Sequence, residues 1–166
     1  MIVVLNGPLG IGKSTLAEAL AESLDHCVML DGDHVIAANP PAPDELEHLH
    51  STLALLVAHH RRFGYRHFVI NHLWTSPRAL SDLRGRLPDV DGDFRSFLLT
   101  LPAEEHWRRI AARACVRALD EREFEQQTFV AERAALADRL DLGEPFDVSD
   151  APALLVTKLR RRLGMP

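Results

Sequence analysis

Ile2-Val3-Val4-Leu5-Asn6-Gly7-Pro8-Leu9-Gly10-Ile11-Gly12-Lys13-Ser14-Thr15 decides the fold. Its first four residues are an apolar run, Gly7 through Ser14 fit G-x-x-x-x-G-K-[ST], and Leu16, Ala17, Leu20, Ala21 and Leu24 continue with helical spacing. A strand, a glycine-rich turn and a helix in that order read as a phosphate-binding loop. A chain folding tightly round a triphosphate must turn where a Cβ would clash, and Gly7, Gly10 and Gly12 supply those positions. The segment running from Gly7 through Pro8, Leu9, Gly10, Ile11 and Gly12 to Lys13, Ser14 and Thr15 aims backbone N–H groups and the positive end of a helix dipole at the anion. Lys13 is expected to reach the β- and γ-phosphates as a point charge, and the Ser14 hydroxyl to be a ligand to Mg²⁺.

Composition narrows the setting. A single domain over residues 1–166 is expected, since 46% hydrophobic and 26% charged residues are ordinary for a soluble globular chain of this length. A net charge of −5 argues against a nucleic-acid surface, which normally carries a basic excess. The basic run Lys158-Leu159-Arg160-Arg161-Arg162 reads as a solvated helix end that complements the negative dipole terminus. Cys27 and Cys115 show neither metal nor disulfide spacing and read as buried thiols, which suits a reducing cytoplasm. A strand beginning at residue 2 leaves no room for a signal peptide, and no apolar stretch is long enough to span a bilayer. The expected partner is therefore a small molecule, with no nucleic acid and no membrane, and the chain is expected to be a cytoplasmic monomer or homodimer.

Along the chain, helical patterns alternate with short apolar strands. After the first helix comes the strand Cys27 to Leu30, then Asp31-Gly32-Asp33, then the proline cluster Pro40-Pro41-Ala42-Pro43. Asp44 with Glu47 three residues on has capping-box spacing and starts a long helix toward Phe63, ended by Gly64. Strands are expected at His67 to Asn71, Phe94 to Thr100 and Phe146 to Val148, and helices at Pro77 to Leu87, Ala103 to Ala118 and Ala151 to Leu163. A charged stretch from Leu119 to Gln127 leads into a further helix ending near Leu140. This rhythm implies an α/β protein with a parallel sheet covered on both faces, and ligands of such sheets gather at the carboxyl ends of the strands.

Asp31-Gly32-Asp33 falls at such an end. In extended backbone, side chains two apart point to the same side, so one carboxylate can face a metal and the other a bound acceptor. Phosphoryl transfer to a hydroxyl needs both a metal against the phosphates and a group that accepts or orients the hydroxyl proton. Asp31 is assigned to Mg²⁺ and Asp33 to the acceptor hydroxyl, against the plainer reading of an Asp-Gly turn that caps a short helix at His34 to Ala38.

Gly7 through Ser14 followed by Leu30-Asp31-Gly32-Asp33 resembles the small P-loop metabolite kinases: shikimate, gluconate and adenylylsulfate kinases and the chloramphenicol phosphotransferase group. The resemblance implies the P-loop NTPase fold, with a five-stranded parallel sheet in the order 2-3-1-4-5 and a short helical lid near residues 114–127. It also implies that the first acid of a D-x-D pair goes with Mg²⁺ and the second with the substrate hydroxyl. In related nucleotide kinases the helix before the lid carries one arginine against the base and others against the phosphates. This carries over as Arg109 near the adenine of ATP and Arg113 or Arg117 near the phosphates, with Arg122 following in the same charged stretch.

Some features depart from the pattern. Phe68-Val69-Ile70 ends in Asn71-His72 where a Walker-B aspartate would stand, and N-K-x-D is absent, which favours ATP over GTP. No substrate signature for shikimate, gluconate or adenylylsulfate is found between Asp33 and Arg62. His48 and His50 lie about 200° apart on a helix and cannot share a metal, whereas His34 and His72 follow strand ends near the presumed centre. Trp74 can line an apolar acceptor pocket or close the core, and the core is the favoured reading. The expectation is an ATP- and Mg²⁺-dependent kinase acting on a hydroxyl of a metabolite, nucleoside or antibiotic. The competing expectation is a regulatory or toxin-like nucleotide-binding protein, and a polynucleotide kinase is disfavoured by the acidic charge.

Overall fold

The computed structural model describes residues 1–88, 93–114, 119–137 and 139–165. The strands are β1 (Ile2–Asn6), β2 (Cys27–Asp31), β3 (His67–His72), β4 (Phe94–Thr100) and β5 (Glu144–Asp147). The helices are α1 (Lys13–Glu22), α2 (Gly32–Val35), α3 (Glu45–Arg62), α4 (Pro77–Arg86), α5 (Ala103–Ala114), α6 (Leu119–Leu136) and α7 (Pro152–Arg162). All strand pairs are parallel and the order is β2-β3-β1-β4-β5, the expected P-loop NTPase sheet.

Alternation along β1 distributes the core. Ile2 and Val4 face α3 and α4, where they join Leu49, Leu53, Val57, Leu80 and Leu83. Val3 and Leu5 face α1 and α7, where they meet Leu16, Leu20, Leu155 and Leu159. Leu49, Leu53 and Val57 recur every fourth residue on α3 and are essentially inaccessible, so each contributes roughly 1.5–3 kcal/mol relative to an exposed position. The Asp44 side chain accepts from the Glu47 N–H at 2.9 Å and caps α3. Glu47 turns instead to Arg86 on α4, 2.7 Å away. Gly64, at φ 88°, closes the helix as the spacing anticipated.

Two element boundaries differ from expectation. The charged stretch from Leu119 to Gln127 is not a lead-in, because α6 begins at Leu119. Glu, Arg and Gln are good helix formers even where apolar periodicity is weak. The last strand starts at Glu144 and contains Pro145, which is tolerated because β5 is an edge strand and one of its sides needs no N–H donors.

A candidate phosphate and metal site at the strand ends

The turn after β1 is shaped by its glycines. Gly10 and Gly12 sit at φ 74° and 107°, which L side chains rarely adopt, and a Cβ on Gly7 would press on Ile11 and Leu99 at 3.2 and 3.3 Å. Gly12 caps α1, so the helix N-terminus opens into a cleft of about 680 Å³ lined by Leu9 to Leu16, Asp33, Arg109, Val148 and Pro152, among others. Lys13 folds over the loop, its Nζ 2.8 Å from the Gly7 carbonyl and 3.1 Å from that of Pro8. Arg109, from α5, reaches across the other wall, donating to the carbonyls of Ile11 at 3.2 Å and Val148 at 2.8 Å. Glu105 lies 3.7 Å from its Nε, so the helix-face partner and the loop contact coexist.

Asp31 divides its two oxygens. Oδ1 accepts from the Asp33 N–H at 3.0 Å and caps α2, while Oδ2 accepts from the Ser14 hydroxyl at 2.9 Å and from Asn71 Nδ2 at 2.8 Å. The capping reading and the metal-side reading of this residue therefore describe different oxygens. Asn71, which occupies the position of a Walker-B acid, joins Ser14 and Asp31 through a nitrogen 3.3 Å from the hydroxyl. Its own carbonyl oxygen is buried with no hydrogen-bond partner. Hard oxygens from one carboxylate and one hydroxyl, beside a buried acceptor that a metal-bound water could satisfy, suit Mg²⁺, which keeps waters and binds through few protein ligands. Among the described residues no cluster of three or more His, Cys, Asp or Glu could hold a metal ion by itself.

Asp33 is reached differently from expectation. The backbone leaves the extended region after Asp31 and Asp33 lies in the first turn of α2, so the two acids are not related by strand alternation. What places Asp33 is His72 at the end of β3, whose Nδ1 is 2.8 Å from Asp33 Oδ1. A carboxylate only accepts, so Nδ1 carries the hydrogen. This bond holds the Asp33 carboxyl below its ordinary value, against the opposing pull of partial burial. Gly32 permits the approach: a Cβ there would lie 2.7 Å from His72 Cβ and 2.8 Å from its Cγ and Nδ1. Behind His72 stands Trp74, buried in the core, with ring centroids 5.2 Å apart at 77°. Trp74 Nε1 donates to His50 Nε2 at 3.0 Å, and His50 Nδ1 lies 2.7 Å from Asp82. Asn6 fixes the Trp74 backbone through both its N–H and its carbonyl, at 2.9 and 2.8 Å.

Several residues at the site carry no local sequence signal: Asn71 as a third partner of Ser14 and Asp31, His106 and Glu132 against the loop at Leu9, and the His50–Trp74 pair. His34 is exposed. Arg117 and the side chains of Arg113 and Arg122 lie outside the described residues, as does part of the expected lid. Cys27 is half-buried, and burial pushes its thiol up to about 11, so it is not a nucleophile at neutral pH. Cys115 lies outside the described residues. No described helix is long and apolar enough to cross a membrane.

A G-x-x-x-x-G-K-S turn leaving the central strand of a 2-3-1-4-5 parallel sheet defines a P-loop nucleotide-binding fold. Residues 2–134 match the family described as an AAA domain, and the chain belongs to that family. Among solved structures it is similar to the tunicamycin resistance protein of Deinococcus radiodurans, with TM-score 0.70 and 16% identity over 99% of this chain and 96% of that one. A gluconokinase from Sinorhizobium meliloti gives TM-score 0.67 and 18% identity over 98% and 90%. The shikimate kinase of Aquifex aeolicus gives 0.59 and 16% over 99% and 96%. At these identities the likeness is one of fold. No curated protein matches the chain.

Proposed function

We propose that the protein is a kinase that transfers the γ-phosphoryl group of ATP, with Mg²⁺, to a hydroxyl of a small molecule. One observation carries the reading: Asp33, bonded to His72, lines the same cleft as the phosphate loop and as Ser14, which is bonded to Asp31 and Asn71. With Asp31 bonded to Ser14, Asp33 is a second carboxylate that can meet an acceptor hydroxyl. The names of the structural neighbours, a gluconokinase and a shikimate kinase among them, support a metabolite-sized acceptor, and a net charge of −5 speaks against nucleic acid.

Lys13 and the loop amides balance charge on the phosphates, and Arg109 closes the base side of the cleft. Ser14 and Asp31 would hold Mg²⁺, with Asn71 bonded to both, and the ion when bound neutralises charge on the phosphate oxygens. Asp33 acts on the acceptor. The acceptor oxygen bonds to the γ-phosphorus as the bond to the departing ADP oxygen breaks, and the hydroxyl proton leaves late, once that oxygen has become acidic. A carboxylate kept weakly basic by His72 suits this timing, because it orients the hydroxyl by accepting its hydrogen bond before it takes the proton. Arg113, in the last turn of α5, and Arg117, which follows it in sequence, are proposed to approach the phosphates.

The test is acceptor-stimulated ADP release across a panel of metabolites, nucleosides and antibiotics. A kinase consumes ATP far faster with one compound than with water, and Asp33→Asn then lowers that turnover by roughly 10²–10⁴-fold while MgATP binding stays near the parent value. ATP consumption that no acceptor accelerates would favour a regulatory nucleotide-binding protein instead.

A further inference from the structure

Leu9 is the third residue of the phosphate loop, and both of its peptide groups are held by side chains from the helices after β4. Its N–H donates to Glu132 Oε2 on α6 at 2.5 Å, and its carbonyl lies 2.8 Å from His106 Nε2 on α5. A carbonyl only accepts, so Nε2 carries the hydrogen. His106 is fully buried, and burial lowers its pKa below the ordinary histidine value, so the ring is neutral and Nδ1 remains an acceptor. Arg133 answers that acceptor. Its NH1 lies 3.4 Å from Nδ1 and donates to the Leu101 carbonyl at 3.0 Å. Phe129 packs against the His106 ring with centroids 4.7 Å apart, which fixes the ring's tilt. By contrast the loop's internal bond, from the Ile11 N–H to the Pro8 carbonyl, is long at 3.4 Å.

We propose that Glu132 and His106 are positioning residues that hold the Leu9 peptide and thereby set the shape of the phosphate loop before nucleotide binds. The proposal rests on the reading of the loop as a nucleotide site. A glycine-rich turn has many accessible shapes, and fixing one in advance removes an ordering cost that the nucleotide would otherwise meet. Glu132 cannot act by attraction, because a carboxylate at the rim of a phosphate site opposes the ligand's charge. Its contribution is the acceptor oxygen that takes the Leu9 N–H, with the carbonyl held from the other side by a histidine whose tautomer Arg133 sets. The same bonds tie α5 and α6 to the loop at one residue.

The experiment uses the whole chain with MgADP as the probe, read by calorimetry, together with exchange of the Leu9 amide hydrogen followed by NMR in the nucleotide-free protein. Glu132→Ala should bind MgADP about tenfold more weakly and exchange the Leu9 amide at least roughly tenfold faster. Glu132→Gln keeps an acceptor oxygen and loses the charge, so it should restore affinity to within about threefold of the parent and restore protection. His106→Phe retains a ring against Phe129 but cannot donate, and should weaken MgADP by a similar factor to Glu132→Ala. Parent-like affinity and exchange in Glu132→Ala would overturn the proposal, as would Glu132→Gln failing as badly as Glu132→Ala. If Glu132→Ala melts too low to titrate, His106→Phe and Glu132→Gln carry the same comparison. A parent chain that bound no nucleotide would remove the functional reading, while the Leu9 exchange rates would still decide whether the clamp exists.

Discussion

Gly32→Ala is a one-carbon change whose consequence can be worked out in advance. The added Cβ would lie 2.7 Å from His72 Cβ, where ordinary contact begins near 3.4 Å, so roughly 0.7 Å of movement is required. The ring cannot swing out of the way, because the collision includes the His72 Cβ itself and that atom is fixed by β3. Either the turn into α2 or the end of β3 must shift, and overpacking of this kind costs about 1–3 kcal/mol. For a chain of this size that is a fall in melting temperature of roughly 2–10 °C. The same shift separates Asp33 from His72, so acceptor-dependent turnover should fall by about 10²-fold, whereas MgADP affinity, set by loop amides on the far side of Ser14, should stay within about twofold. The decisive assay is a double-mutant cycle with His72→Gly, which removes the three atoms nearest the new methyl. Thermal or urea unfolding of the four chains should give a coupling of about 2 kcal/mol in the direction of relief, with no recovery of turnover in the double variant. Zero coupling, or a Gly32→Ala chain with parental melting and parental turnover, would refute the argument that the missing Cβ makes room for His72.

Other expectations are simpler to check. Lys13→Ala should abolish phosphoryl transfer and weaken ATP binding by about 2 kcal/mol or more, with unchanged calorimetric affinity as the contrary result. Asp31→Asn should raise the Mg²⁺ concentration needed for half-maximal turnover while leaving α2 capped, since the amide keeps one acceptor oxygen for the Asp33 N–H and replaces the oxygen that bonds Ser14; a normal Mg²⁺ requirement would leave the residue a cap only. His106 is lowered from the ordinary value of 6.5, chiefly by burial, so the unfolded chain binds its proton more readily. Its contribution to stability is present above that value and is lost as pH falls below it, until the folded ring itself protonates. Urea midpoints between pH 7 and 5 should therefore drop more steeply in the parent than in His106→Phe, and parallel slopes would mean the ring is not held neutral.

Much of this was legible in the sequence where chemistry is local. Gly7 through Ser14 places loop, helix start and cation within eight residues, and the alternation of apolar runs with helices is enough to read a parallel sheet, whereas the strand order came only from the resemblance to the P-loop metabolite kinases. Asp31 and Asp33 were legible as a pair, although the geometry relating them is a helical turn and not an extended strand. What stayed hidden depends on distant partners. His72 was legible as a residue at a strand end near the site, but its bond to Asp33 spans 39 residues, and Glu132, which meets Leu9 across 123, carries no local signal. The last strand was read from Phe146, whereas its edge position lets it begin at Glu144 and include Pro145, and Leu119 to Gln127 hid a helix because little of it needs to be apolar. Trp74 was legible as core from its size, but its N–H reaching His50 was not.

The central position of β1 has a consequence for how the molecule comes into being. β1 is synthesised before the other four strands of this sheet, and it is paired on one side by β3, which begins at His67, and on the other by β4, which ends at Thr100. Its hydrogen-bonding partners therefore arrive only after long stretches of chain have been made, and closing such long loops is what makes parallel sheets slow to form. Until then Ile2 to Leu5 is an apolar segment with two open edges, the kind that pairs with the wrong neighbour. The glycine-rich turn at its end has no fixed platform during that interval. Nascent or truncated chains that stop short of Thr100 should thus neither hold a nucleotide nor stay soluble without help, and the ability to bind phosphate marks the moment at which the sheet has closed around its oldest strand.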